Sequence, residues 1–418
     1  MSPPVTGGAA GALDVIATAD LAGICRGRSV PAAAADAVGW VPADLAITAF
    51  GDLADNPFGS LGDLRIHADP STSVPLPTVG APITLALGDL RHGDGTPWDC
   101  CPRTQLRSTL AQLKADTGLT VTAAFEHEFV LSADPAAAAE HPFGVQALLA
   151  AEPFGTELVA ALARAGLDPE NWLPEFGANQ WEVTIRPAGG LAAADRAITL
   201  REITRATARL AGRSASFAPT PPGSGAMNGA HIHFSLWTSD GEPACYADGG
   251  LSKTARSFAA GIIEHAAAVL AFTAPSVVSY QRLGPGHWSA DGPRLGGADR
   301  EAMLRVPGLA SGPDQTHLEF RAADSTANPW LALGALVRAG LDGLNRALTV
   351  PDLGPGPDVA PFPGCLQDAL SALERDVVMT SWLPEDLLDT YLSVKRSEIA
   401  AMAGLSAEQV HARYARAY

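Results

Sequence analysis

The sequence predicts a two-domain protein that mixes α and β structure, with a smaller β-rich part ahead of a larger mixed part. Three observations carry this. The 418 residues exceed what one hydrophobic core usually organises. Val15 to Leu90 reads as short β-segments broken by turns. From Pro102 onward, runs with helical spacing alternate with strand-like runs. The boundary falls near residue 100, giving domains over 1–100 and 101–418.

In chain order, Val15-Ile16-Ala17-Thr18, Leu64-Arg65-Ile66-His67 and Ile83-Thr84-Leu85-Ala86-Leu87 are strands of the first part. Leu106, Leu110 and Leu113 fall on one helical face, and a strand follows over 121–131. Leu191 to Leu210 predicts a further helix, with Leu191, Ala194 and Ile198 on one side. Asn328-Pro329 supplies an N-cap and a first-turn proline for a helix carrying Leu333, Leu336, Leu341, Leu344 and Leu348.

Composition narrows the partners. Twenty-eight basic residues against 45 acidic ones give a net charge of −17, which repels phosphate backbones and anionic lipids. Nucleic-acid and membrane partners are therefore disfavoured, while a local basic pocket for a nucleotide stays open. Lysine occurs only at Lys114, Lys253 and Lys395, so the cationic groups are mostly guanidiniums suited to carboxylates and phosphates. Cys25, Cys100, Cys101, Cys245 and Cys365 form no CxxC pattern and suggest neither a disulfide framework nor a zinc finger. Met1 to Ala12 has no signal-peptide pattern, and no stretch approaches the ~18 apolar residues of a membrane helix. A reduced, cytoplasmic setting is the expectation.

The chemistry is concentrated in pairs of functional residues at i and i+2: Glu126-x-Glu128, His231-x-His233 and Glu319-x-Arg321, with Glu175 and Glu182 in a looser segment. In a strand such pairs share one face, and Phe125, Phe129, Ile232, Phe234 and Phe320 would pack around them. Taken singly, a Glu-x-Glu is an ordinary solvated strand face, a Glu-x-Arg a surface ion pair, and a His-x-His packing or a ligand pair. Converging on one cleft, five carboxylates would repel one another unless cations sat among them. Such oxygen-rich sites suit Mg²⁺ or Mn²⁺ better than zinc.

The order and flanks of these stretches resemble the glutamine synthetase family over nearly the whole chain. Ala124-Phe125-Glu126-His127-Glu128-Phe129-Val130-Leu131 looks like its G-x-E-x-E-F-x-L strand, and Glu175-Phe176-Gly177-Ala178-Asn179-Gln180-Trp181-Glu182 its E-x-G-P-G-Q-x-E segment. Gly229-Ala230-His231-Ile232-His233-Phe234-Ser235-Leu236 resembles G-x-H-x-H-x-S-L, and Ser279-Tyr280-Gln281-Arg282-Leu283-Gly284-Pro285-Gly286 resembles S-Y-K-R-L-x-P-G. Glu319-Phe320-Arg321 with Ala327-Asn328-Pro329-Trp330-Leu331-Ala332 is similar to E-x-R-x-x-D-x-x-A-N-P-Y-L-A. Asp69-Pro70-Ser71-Thr72 echoes P-D-x-S-T of the smaller domain.

The resemblance implies an α+β fold: a small β-grasp-like N-terminal domain and a catalytic domain with a curved antiparallel sheet flanked by helices. It implies two divalent ions per site, Mg²⁺ or Mn²⁺, one held by Glu128, Glu175 and Glu182 and the other by Glu126, His231 and Glu319. His233, Ser235, Glu170 and Arg305 would contact ATP, and Arg300 the transferring phosphoryl group. Gly229, His231, Arg282 and Arg321 would hold L-glutamate. Sites built between neighbouring subunits imply a homo-oligomeric ring, with a dodecamer of two hexamers as the expectation.

Two departures bear on the amine. Where ammonia-using members carry a flap glutamate, this chain has Trp288; where they carry F-D-G-S-S, it has Phe50-Gly51-Asp52-Leu53-Ala54. An indole in place of a carboxylate favours an organic amine over ammonium, the pattern of the γ-glutamylpolyamine and γ-glutamylamide synthetase branch. Alternatively, Trp288 packs the flap and Asp52 takes the missing aspartate's role. Asp314, His317 and Ala226 also replace a lysine, an arginine and an asparagine of the pattern, which bears on nucleotide and acid binding. The expected function is an ATP-dependent ligase joining the γ-carboxyl of glutamate to an organic amine through a γ-glutamyl phosphate. The rivals are ammonia-dependent glutamine synthesis, a non-catalytic ring protein and a zinc hydrolase, the last lacking an HExxH.

Overall fold

The computed structural model describes residues 11–132, 141–350 and 361–418; of the N-terminal stretch read above, residues 1–10 lie outside them. The first sheet comprises β1 (Leu13–Ala19), β2 (Cys25–Pro31), β3 (Ala37–Trp40), β4 (Leu64–Ala68), β5 (Val74–Leu76) and β6 (Ile83–His92). Their order is β2-β1-β6-β4-β3, with β5 alongside β6. The parallel β1–β6 pair lies at the centre, flanked by the antiparallel pairs β1–β2 and β3–β4, as in a β-grasp. All three strand segments expected from sequence fall inside β1, β4 and β6.

The second sheet is the frame of the site. It is built from β7 (Leu119–Leu131), β8 (Pro169–Pro174), β9 (Gln180–Ile185), β10 (Ala188–Gly189), β11 (Ala215–Ser216) and β12 (Ala230–Thr238). A separate hairpin, β13 (Tyr246–Ala247) and β14 (Gly250–Leu251), precedes its last members, β15 (Gly292–Gly296), β16 (Ala302–Arg305) and β17 (Leu318–Phe320). The order is β15-β16-β17-β12-β7-β9-β8, with β10 and β11 both paired to β7. Every pairing is antiparallel except β15–β16. Along β7 buried and half-buried residues alternate at each step, so one face belongs to the core and the other to a cleft. Phe125, Phe129, Ile232, Phe234 and Phe320 are all buried, as their spacing predicts. Phe234 meets Phe258 of the helix Lys253–Glu264 with ring centroids 5.8 Å apart, which fixes that helix beneath the sheet.

The helices expected from sequence form over Pro102–Thr117, Gly190–Leu210 and Pro329–Asn345. Asn328 caps the last of these, its side chain accepting from the Trp330 and Leu331 amides. Leu348 falls beyond it. Ala347 turns into the left-handed region, and the Leu348 amide donates to Gly343 O at 2.9 Å, closing a Schellman end.

The two parts share one apolar core that runs from Ile16 and Leu87 to Leu106 and Trp330. Arg103 pins them together. Fully buried, it meets Asp69 at 2.7 Å, Asp89 at 2.9 Å and Asp195 at 2.8 Å, while Trp330 Nε1 donates to Asp195 at 2.8 Å. Among the described residues no single helix is long and apolar enough to cross a membrane; Lys253–Glu264 and Ala266–Thr273 pass only as a pair bent by 80°.

Candidate active site

The register of the second sheet assembles the carboxylates. Opposite one another stand His231 and Glu126 on β12–β7, Glu128 and Glu182 on β7–β9, and His233 and Glu319 on β12–β17. Glu175 joins them because the segment between β8 and β9 folds back, with its amide donating to Gln180 O at 2.8 Å. Glu126 and Glu128 take the cleft face while His127 points into the core, where it contacts Ser325 Oγ at 2.8 Å. The i, i+2 pairs therefore aim as the strand period dictates.

The five carboxylates and His231 line a cavity of about 860 Å³, together with Arg282, Arg300, Arg305 and Arg321. Glu128 is fixed from two sides: the Gly229 amide donates at 2.9 Å and Gln180 Nε2 at 3.2 Å. A side chain at Gly229 would displace its neighbours, since a Cβ would lie 2.9 Å from His231 Nε2 and 3.3 Å from Arg282 Nη1. Arg282 is buried and gives its donors to Ser289 Oγ, Arg321 O and Ala323 O. Arg321 donates to Glu319, to Arg300 O at 2.7 Å and to Trp288 O at 2.9 Å, and so ties the flap to the sheet. Arg305 also pairs with Glu319.

The electrostatics divide the carboxylates into two groups. Burial opposes ionisation of Glu126 and Glu319, yet the imidazoles of His231 and His233 outweigh it, joined at Glu319 by Arg321 and Arg305, and hold both carboxyls low. The other three go the opposite way. Burial pushes Glu128 upward, burial and the Glu128 charge push Glu175 up to about 7, and burial with Glu126, Glu128 and Glu175 pushes Glu182 strongly upward. Such a cluster is not fully ionised at neutral pH without added positive charge. Its oxygen donors and imidazoles are those a hard divalent ion takes, so the residues fit the metal that their pattern implies. Glu126, His233 and Glu319 each offer a ligand atom within 4.8 Å of the others. His231 Nδ1 is equally near, 2.7 Å from Glu126 and 3.8 Å from Glu319. Both histidines thus reach the carboxylate pair, where the resemblance assigns only His231.

His317, noted in the sequence only as a departure, has a defined place. Its Nδ1 lies 2.7 Å from Gln315 O, a group that can only accept, so Nδ1 carries the proton. Burial and the neighbouring His233 pull its pKa down, which keeps it neutral. Its Nε2 then accepts from His233 Nδ1 at 2.9 Å, leaving His233 Nε2 turned toward Glu126 at 3.4 Å.

Other expected contacts lie further out. Ser235 shares the His233 face but accepts a hydrogen bond from Trp237 Nε1 at 2.8 Å. Glu170 is exposed on the edge strand β8, 3.7 Å from Arg186, and is not among the residues lining the cavity. Gly51 and Asp52 occupy an exposed turn held by Thr48, also away from the lining. Trp288 does line the cavity and is 67% exposed. Two lining aromatics were not singled out from sequence, Phe143 and Phe176. Phe176 occupies an unspecified position of its motif, and Phe143 belongs to none.

This chain belongs to the glutamine synthetase family. Residues 12–98 match the model of the glutamine synthetase N-terminal domain and residues 99–414 that of its catalytic domain. The chain is 33% identical to the gamma-glutamylpolyamine synthetase GlnA3 of Streptomyces coelicolor, over 96% of this chain and 92% of that one. It is 32% identical to a glutamine synthetase of Methanocaldococcus jannaschii, covering 80% and 79% of the two chains. A solved structure described as a novel glutamine synthase homolog superposes with a TM-score of 0.90 at 43% identity, covering 97% of this chain and 98% of that one. The protein is accordingly an ATP-dependent ligase, of a family that uses divalent metals and is typically oligomeric.

Proposed function

We propose that this ligase joins the γ-carboxyl of L-glutamate to an organic amine. The observation that carries the reading is the replacement of an acidic flap residue by Trp288 beside a complete carboxylate–histidine cluster. A γ-carboxylate oxygen attacks the γ-phosphorus of ATP; the bond to the β,γ-bridging oxygen breaks and ADP leaves. The amine lone pair then attacks the acyl carbon of the γ-glutamyl phosphate. The acyl C–O bond breaks, phosphate leaves with that oxygen, and the nitrogen loses one proton.

Glu128, Glu175 and Glu182 would hold one divalent ion and Glu126 and Glu319 with His231 the other, with His233 in reach of the same pair. Bound there, Mg²⁺ or Mn²⁺ neutralises charge on the phosphates. The chain's own residues do the rest. Arg282 and Arg321, oriented by backbone carbonyls, bind the glutamate, and Gly229 leaves room beside them. Arg300 and Arg305 face the phosphoryl and the nucleotide from the cavity wall, and electrostatic preorganisation of this kind lowers the barrier. His233 and Ser235 are the nucleotide contacts carried over from the family; Glu170, exposed on β8, would join them only if the nucleotide extends beyond the described lining.

The N-terminal domain over 1–100 and the catalytic domain over 101–418 would meet their counterparts in a ring of two hexamers. A cytoplasmic setting agrees with five unpaired cysteines. The reading is tested by phosphate release from ATP with Mg²⁺ and L-glutamate across ammonium, ethanolamine, alkylamines, aromatic amines and polyamines. Release with an organic amine and little with ammonium supports it. Release with ammonium alone reassigns the protein to glutamine synthesis.

A further inference from the structure

The cavity that holds the carboxylate cluster has a second chemical character at its mouth. Phe143, Phe176 and Trp288 all line it, and they are 52%, 63% and 67% exposed. Large apolar side chains left open to water in one concave site mark a place where apolar surface is buried on binding. Two of the three sit on strained backbone. Phe143 has φ +56° and Trp288 φ +50°, a region uncommon for bulky residues, held at Trp288 by the hydrogen bond from Arg321 to its carbonyl.

Charge decides what kind of molecule this mouth takes. The carboxylates among the described lining residues are Glu126, Glu128, Glu175, Glu182 and Glu319, and every one belongs to the cluster on the sheet. Four arginines line the same cavity. Among the described lining residues a second ammonium on a bound amine would find ring faces, which attract cations weakly, but no carboxylate outside the cluster, and it would face the arginine charges; Glu301, beside the flap, already accepts from the Gly286 amide at 2.7 Å. A methyl or phenyl terminus meets the three rings without that repulsion. Building on the ligase reading above, we propose that the amine co-substrate is a monoamine with an apolar or aromatic body, and that Phe143, Phe176 and Trp288 select it over polyamines. Its amino group reaches inward to the acyl carbon while its body stays against the rings.

The test compares hexylamine with 1,6-diaminohexane, equal in carbon count and differing by one terminal ammonium, using the full-length enzyme with ATP, Mg²⁺ and L-glutamate. The expected kcat/KM favours hexylamine by at least about tenfold, the value of burying roughly two methylenes rather than a charge. Phe176→Ala and Trp288→Ala are each expected to raise the hexylamine KM about tenfold, with the glutamate KM little changed. Preference for the diamine, or an unaltered hexylamine KM in both variants, overturns the assignment while leaving the ligase reading in place. Turnover with ammonium but neither organic amine overturns both.

Discussion

The two ends of the cavity are built differently. At the floor, Glu126, Glu128, Glu182, His231 and Glu319 stand on strands whose register fixes each against its neighbour, with His233 opposite Glu319. At the mouth, Phe143, Phe176 and Trp288 stand on loops and are largely exposed. The floor is over-determined, with Glu128 held by Gly229 and Gln180, whereas the mouth depends on a few backbone contacts such as Arg321 to Trp288 O. A site of this form keeps its phosphoryl chemistry while loops change what is joined.

The largest effect is expected at the floor. Glu128→Gln abolishes metal-dependent phosphate release, and the circular-dichroism spectrum is unchanged because the residue lies on the cleft face of β7. In the parent protein, Mn²⁺ at about a hundred times its Kd adds about 2.7 kcal/mol of stability, seen as a higher Tm. Glu128→Gln removes most of that shift. Retained activity in the variant would dissolve the distinction between the two ends.

Next comes the joint that holds the floor's scaffold to the N-terminal domain. Arg103→Met leaves Asp195 buried with only the Trp330 N–H, while Asp89 keeps Arg107 at 2.9 Å, at a cost of about 3 kcal/mol read by chemical denaturation. A loss below about 1 kcal/mol would mean the network does not tie the parts together.

A change at the mouth is smaller and selective. Trp288→Glu lowers use of bulky amines relative to ammonium by about tenfold and leaves the Mn²⁺ affinity intact. An equal loss for every amine would show that the flap acts on the floor.

The smallest effect lies far from both. His265 bridges Asp376 at 2.6 Å and Asp342 at 3.0 Å; burial opposes its charge, but these partners raise its pKa. Its contribution is full below the ordinary histidine value of about 6.5 and is lost as pH rises through the raised folded value. Tm falls by about 1–2 °C across that window in the parent and not in His265→Gln, by calorimetry.

Much of the floor was legible in the sequence because strand period and ordered motifs both point to the same residues, as with Glu126 and Glu128 around His127. The helix from Pro329 was equally plain from its Asn cap, although its Schellman end at Ala347 was not, since alanine rarely adopts that conformation. Less could be read at the mouth. Phe143 carries no motif, and its exposure beside Phe176 and Trp288 arises only when loops distant in sequence meet. The His317–His233 contact depends on the β12–β17 register, which no local spacing shows. Glu170 is the converse case: its motif position suggests a nucleotide contact, yet edge strand β8 carries it away from the cavity lining.

The central claim, transfer through an acyl phosphate, is tested most directly with L-glutamate labelled with ¹⁸O in the γ-carboxyl. Turned over with ATP, Mg²⁺ and hexylamine, the enzyme is expected to move one ¹⁸O into inorganic phosphate for each amide formed, read by mass spectrometry. Amide formation with unlabelled phosphate would contradict the account.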